Sequence, residues 1–159
     1  MASGWSRILT GGCVALLLAL PATAEEPDFA VWGGVFDLIR GDVSAEAGFE
    51  LRFPRWRWDL IPTAGAAVNS DGGAYVAGGV RYDWRFAPRF IASPHFAVTL
   101  LDEGDGRELG GVLEFRSGFE LAYELANGDR LGLSFYHLSN AGLSSLNPGS
   151  ESLVLVYSF

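Results

Sequence analysis

Three residues near the C-terminus have side chains that could act together as a catalytic triad: His137, Ser139 and Glu151. A serine hydroxyl is a weak nucleophile by itself. It needs an imidazole to accept its proton and a carboxylate to hold that imidazole in one tautomer and stabilise its charged form. The set could therefore perform nucleophilic attack through Ser139, with His137 as the base and Glu151 as the acid.

These polar residues continue faces that are otherwise apolar, since side chains alternate between the two faces of a strand. His137 and Ser139 share the face of Leu131, Leu133 and Phe135, and Glu151 shares that of Leu153, Leu155, Tyr157 and Phe159. A hairpin across residues 140–150 would bring the three together at its tip. A strand that leaves a membrane at this point would also turn polar, so a purely interfacial role stays open.

The same alternation runs through most of the chain and predicts eight strands. One face of residues 113–125 is almost entirely apolar, while the other carries Glu114, Arg116, Glu120 and Glu124. The predicted strands are residues 30–40, 45–53, 59–68, 74–86, 90–101, 111–125, 130–139 and 151–159. Turn-forming residues separate them. We expect an all-β fold, an eight-stranded antiparallel up-and-down transmembrane β-barrel whose outer face is apolar.

An even strand count places both termini on the periplasmic side, together with the short connections. Aromatic residues cluster at the strand ends assigned to that side, as expected of an interfacial girdle: Trp32, Trp56, Trp58, Trp84, Phe86, Phe90, Tyr157 and Phe159. Eight strands enclose an interior filled by side chains, so a pore is not expected. We expect the inward charges to pair with one another: Glu50, Arg52, Arg81, Asp83, Arg85, Glu114, Arg116 and Glu120.

The N-terminus has the pattern of a secretory signal peptide. Arg7 precedes the apolar run 14–20, and Ala22-Thr23-Ala24 fits a cleavage site. We therefore divide the chain into a signal peptide, residues 1–24, and an outer-membrane β-barrel domain, residues 25–159. The net charge of −8 argues against a nucleic-acid partner, because nucleic-acid recognition needs a basic patch.

The segment F-Y-H-L-S-N-A-G-L (135–143), followed by N-P-G-S-E (147–151), resembles the lipid A 3-O-deacylase (PagL) family of outer-membrane enzymes. In that family a His-x-Ser-Asn run ends the seventh strand and an Asn-Pro-Gly-x-Glu run opens the eighth. The resemblance implies a serine esterase with His137, Ser139 and Glu151 as its triad. It also implies an oxyanion hole formed by Asn140 and Gly142.

The resemblance further implies that the partner is lipid A, the membrane anchor of lipopolysaccharide, in the outer leaflet of a Gram-negative outer membrane. The enzyme would remove the acyl chain at the 3-position with no metal or other cofactor. Two alternatives stay open: a non-catalytic structural or adhesive barrel, and an esterase for another outer-leaflet lipid. The sequence does not decide whether two copies form a homodimer.

Two further groups have simpler interpretations. The acidic stretch 102–108 could attract Ca²⁺, but it lacks the regular ligand spacing of an EF-hand, so a solvated loop is favoured. His95 lies on the polar face of its strand and is expected to be an interior, hydrogen-bonded residue.

Overall fold

The computed structural model describes residues 27–39 and 43–159. The strands are β1 (Asp28–Phe36), β2 (Ser44–Arg52), β3 (Leu60–Asn69), β4 (Ala74–Tyr82), β5 (Trp84–Ala87), β6 (Phe90–Asp102), β7 (Leu113–Glu124), β8 (Arg130–Ser139) and β9 (Ser150–Ser158). A single 3-10 turn, Arg57–Asp59, precedes β3. The signal peptide predicted for residues 1–24 lies outside the described residues.

The strands form one closed antiparallel sheet. Consecutive strands pair with one another, except that β4 and β5 both pair with β6. The pairing of β1 with β9 and of β4 with β6 completes the circle. Because β4 and β5 are two segments of one continuous run along β6, the barrel has eight strand positions. The predicted eight-stranded up-and-down barrel is therefore confirmed.

The fourth predicted strand, residues 74–86, is interrupted at Asp83. Beyond Tyr82 the run has no partner in β3, which begins at Leu60 opposite Tyr82. On the other side, the register places Pro94 of β6 opposite Tyr82, and proline has no amide hydrogen to donate to the ladder. The loss of partners on both sides explains the break.

The outer wall of the barrel is apolar. Outward side chains on β8 and β9 such as Leu133 and Leu155 are about half exposed, at 51% and 55%. Exposed aromatic residues surround the end of the barrel that holds the short turns, with Trp58 at 80% and Trp84 at 60%. A wall of this composition is typical of a barrel that crosses a membrane.

Trp32 does not belong to this aromatic girdle, and that prediction was wrong. Its ring lies inside the barrel, where the indole nitrogen donates to Glu46 Oε1 over 3.1 Å. Gly48 makes room for it, because a Cβ there would come within 2.4 Å of the ring. The aromatic pattern alone cannot show which face of β1 Trp32 occupies.

The lumen is filled by paired charges, largely as predicted. Arg52 and Arg81 both bind the carboxylate of Glu120, with nitrogen–oxygen distances of 2.8 and 3.1 Å. Arg116 binds Glu50 at 2.9 Å and lies over the rings of Trp32 and Tyr136. Asp83 follows the same rule and binds Arg81 and Arg130. Two residues depart from the prediction: Arg85 binds Glu124 at the exposed turn end and not in the lumen, and Glu114 is buried with no hydrogen-bond partner among the described residues.

The two ends of the barrel differ in their connections. The turn end holds the segments 53–59, 88–89 and 125–129 and the last residue Phe159, whereas the loop end holds residues 37–39 and 43 and the segments 70–73, 103–112 and 140–149. Within the described residues, no helix is long and apolar enough to cross a membrane.

Candidate active site

His137 and Glu151 face each other across β8 and β9 at the loop end. The two residues are direct partners in the strand register, and His137 Nδ1 lies 3.0 Å from Glu151 Oε1. The His137 side chain is 40% exposed and that of Glu151 is 14% exposed. A carboxylate on Nδ1 leaves Nε2 as the ring nitrogen that can exchange a proton with a nucleophile.

Ser139 lies two residues after His137 on the same outer face of β8. Its partner on β7 is Phe115, another outward residue. The rise of a strand places the Cα atoms of such a pair about 7 Å apart. Among the described residues, no hydrogen bond joins Ser139 to His137. The three predicted triad residues thus share one patch of the outer wall, where His137 is hydrogen-bonded to Glu151 but not to Ser139.

The predicted oxyanion-hole residues are engaged within the connection between β8 and β9. Asn140 is buried, and its side-chain amide donates to the carbonyl oxygens of Leu109 and Leu146 over 3.1 and 2.8 Å. Its backbone N–H donates to Asn147 Oδ1. Gly142 N–H donates to Asn140 Oδ1 over 3.0 Å. The visible role of Asn140 is to shape the segment that follows Ser139.

Three residues beside the predicted triad were not predicted from the sequence: Asp37, Arg107 and Gly149. Arg107 forms an ion pair with Asp37 and donates to the carbonyl oxygen of Gly149 over 3.0 Å. Gly149 packs directly against the His137 ring. Two sequence features could have pointed to them: Arg107 is the one basic residue in the acidic stretch 102–108, and Gly149 is the glycine of the Asn-Pro-Gly motif.

Two carboxylates of the acidic stretch accept hydrogen bonds from nearby backbone N–H groups. Glu103 Oε1 accepts the N–H of Leu109 over 2.6 Å, and Asp102 Oδ1 accepts that of Gly104. In the part of the chain that the structure describes, no group of three His, Cys, Asp or Glu side chains could hold a metal ion. His95 is a lumen residue whose Nε2 lies 3.3 Å from Ser134 Oγ, which confirms its interior, hydrogen-bonded position.

The family model for lipid A 3-O-deacylase (PagL) matches residues 41–159 of this chain. The chain belongs to this family. The lipid A deacylase PagL of Bordetella bronchiseptica (strain ATCC BAA-588 / NCTC 13252 / RB50) is 27% identical over 112 residues, which cover 65% of this chain and 63% of that relative. The match thus spans less than two thirds of that PagL.

A solved structure agrees on the fold. The crystal structure of the outer membrane enzyme PagL superposes with a TM-score of 0.65 at 23% sequence identity and covers 83% of this chain and 98% of that one. Membership of the PagL family, the closed barrel and its apolar outer wall together place the protein in the outer membrane.

Proposed function

We propose that this protein is a lipid A 3-O-deacylase, a serine esterase that removes the ester-linked acyl chain at the 3-position of lipid A. Ser139 is the nucleophile, His137 the general base and Glu151 the residue that orients the base. Family membership is established for this chain; its activity, its substrate and the roles of its residues are what we propose here.

One observation carries the proposal: the hydrogen bond between His137 and Glu151 lies on the outer wall, beside Ser139. An imidazole and a carboxylate on an apolar wall cost free energy and have no evident structural use there. A lipid in the outer leaflet reaches this wall by lateral diffusion, with its acyl chains already in the membrane. The position of the site therefore favours an acylated lipid as the substrate.

The proposed reaction has two halves. Ser139 Oγ attacks the ester carbonyl while His137 Nε2 takes its proton, and the imidazolium then protonates the departing sugar oxygen. This step leaves the acyl chain on Ser139 as an ester. A water molecule, deprotonated by His137, attacks that ester and releases the fatty acid, and Ser139 recovers its proton. Ser139 Oγ must come within hydrogen-bond reach of Nε2 for the first half, and a bound substrate would stabilise that geometry.

Negative charge that develops on the carbonyl oxygen needs hydrogen-bond donors. Asn140 and Gly142 remain the donors predicted from the family resemblance. Each would have to exchange a present hydrogen bond, that of Gly142 to Asn140 Oδ1 for example, for one to the substrate oxygen. The left-handed backbone at Ala141 and Gly142, with φ of 54° and 80°, marks this tight segment directly after Ser139 and Asn140.

Replacement of the nucleophile tests the proposal. Ser139→Ala should insert normally and leave lipid A fully acylated, while wild type releases one acyl chain, as read by mass spectrometry of lipid A from expressing cells. Ser117→Ala is the matched control, because Ser117 is an exposed serine on the same outer wall, paired with His137 on the neighbouring strand. This control should deacylate lipid A like wild type.

The outcomes separate the alternatives. Release of an acyl chain from a different outer-leaflet lipid, abolished by Ser139→Ala, would keep the esterase and replace the substrate. Full activity of Ser139→Ala would eliminate the triad. A wild-type protein that is folded yet inactive on every ester in cells and in detergent would indicate a non-catalytic barrel.

A further inference from the structure

Arg107 joins three connections at the loop end. It lies in the segment between β6 and β7, and its guanidinium binds the carboxylate of Asp37, a buried residue just after β1. The same guanidinium group donates to the carbonyl oxygen of Gly149, just before β9, over 3.0 Å. Both hydrogen bonds are donated by one terminal nitrogen, Nη2, whose two hydrogens serve the carboxylate and the carbonyl together.

The contact with Gly149 leads directly to the catalytic imidazole. Gly149 has a left-handed backbone with φ of 68°, and a Cβ at this position would lie 2.5 Å from His137 Cε1 and 3.2 Å from Nε2. The backbone of Gly149 therefore packs against the ring edge that carries Nε2, while Glu151 holds Nδ1 on the other side of the ring. By holding the Gly149 carbonyl, Arg107 also holds the backbone that packs against one edge of the His137 imidazole.

The contact with Asp37 leads to the carboxylate of the triad. Leu38, the next residue after Asp37, donates its backbone N–H to the carbonyl oxygen of Glu151 over 2.9 Å. The ion pair between Asp37 and Arg107 thus anchors the segment that binds the backbone of Glu151. Arg107 reaches both partners of the hydrogen bond between His137 and Glu151, one through Gly149 and the other through Asp37 and Leu38.

We propose that Arg107 is a positioning residue of the active site, which holds the His137 imidazole and the Glu151 backbone in register through Gly149 and Asp37. The inference rests on the proposed function, because it needs a working triad. Arg107 itself touches none of the three triad side chains in the described contacts, so its effect must pass through the backbone.

Arg107→Lys tests this role, since lysine keeps a positive charge near buried Asp37, but its nitrogen lies one bond closer to the backbone than Nη2 and should not reach both Asp37 and Gly149. We expect kcat for lipid A in detergent micelles to fall about 10- to 100-fold, the loss typical of a small misplacement of catalytic groups, with KM little changed. The rate at which a fluorophosphonate probe labels Ser139 should fall in parallel, because that rate depends on activation of the serine and not on the lipid.

Arg85→Lys is the matched control. Arg85 also binds a carboxylate, that of Glu124, and a backbone carbonyl, that of Pro88 at 2.9 Å, but it lies at the turn end. It should label and deacylate like wild type. The paired variant Asp37→Asn/Arg107→Met removes the buried charge together with its partner. It should fold and show the same loss as Arg107→Lys, which separates positioning from folding.

Rates are compared per folded molecule, with the folded fraction read from the heat-modifiable band on SDS gels. Wild-type kcat and labelling in Arg107→Lys and in the paired variant would overturn the role of Arg107 and leave the proposed function intact. A wild-type protein whose Ser139 is neither labelled nor needed for deacylation would contradict the proposed function itself, and Arg107 would then have no triad to position.

Discussion

Polar side chains lie in two places on this barrel, and the two groups differ in how completely they are satisfied. In the lumen, Glu120 is almost fully buried and binds two arginines. On the outer wall, His137 is 40% exposed with one polar partner, and Ser139 has no hydrogen bond to it. Buried charges that are fully paired are part of a folded interior. Polar groups kept exposed and partly unpaired on an apolar wall are available to react with something else.

This contrast predicts that the two groups fail in different ways. Changes to His137, Ser139 or Glu151 on the outer wall should reduce activity and leave stability unchanged, whereas changes to the charges in the lumen should reduce stability and leave the activity of folded molecules unchanged.

The largest effect is expected at the triad. By analogy with other serine hydrolases, His137→Ala should lower kcat about 10⁶-fold and Glu151→Gln about 10⁴-fold, since the base is needed in every proton transfer and the acid only orients it. Single-turnover deacylation of lipid A in micelles measures both. Both variants should unfold at the wild-type urea midpoint. Equal losses in the two variants would argue against separate roles, and an active His137→Ala would contradict the assignment of the base.

The lumen should show the opposite behaviour. Glu120→Ala leaves Arg52 and Arg81 without their shared carboxylate, and loss of one partner of a buried ion pair typically costs about 3–5 kcal/mol of unfolding free energy. Urea titration in detergent should show this loss. Molecules that remain folded should deacylate lipid A at the wild-type rate. A fall in kcat without a fall in stability would show that the two groups are coupled.

Gly149→Ala gives the smallest effect and the sharpest comparison. The new Cβ would meet His137 Cε1 at 2.5 Å, so the ring must move, and we expect a loss of about 100-fold in kcat. Gly128→Ala is the control, because Gly128 also has a positive φ, 95°, but its Cβ would meet nothing within 4 Å. The left-handed backbone costs both variants about 1–2 kcal/mol. Similar activities in the two variants would show that the contact with His137 is unimportant.

Several contacts lie beyond what the sequence pattern could predict. Alternation cannot show that Pro94 falls opposite Tyr82 and splits a predicted strand, because that depends on the register of a different strand. The same limit applies to Trp32, which packs over Gly48 inside the barrel and not at the interface. The ion pair between Asp37 and Arg107 joins residues 70 positions apart, on connections that meet only when the barrel closes.

Side-chain alternation was enough to predict the barrel, its apolar outer face and the face on which His137, Ser139 and Glu151 lie. These features follow from the alternation of side chains along a strand, which is a local property of an extended backbone. The folded structure was needed to see that the donors of Asn140 are already engaged, what packs against the His137 ring and how Arg107 reaches both sides of the site. Those contacts depend on the register of paired strands and on loops that meet in space. The alternation of side chains within one segment predicts neither of them.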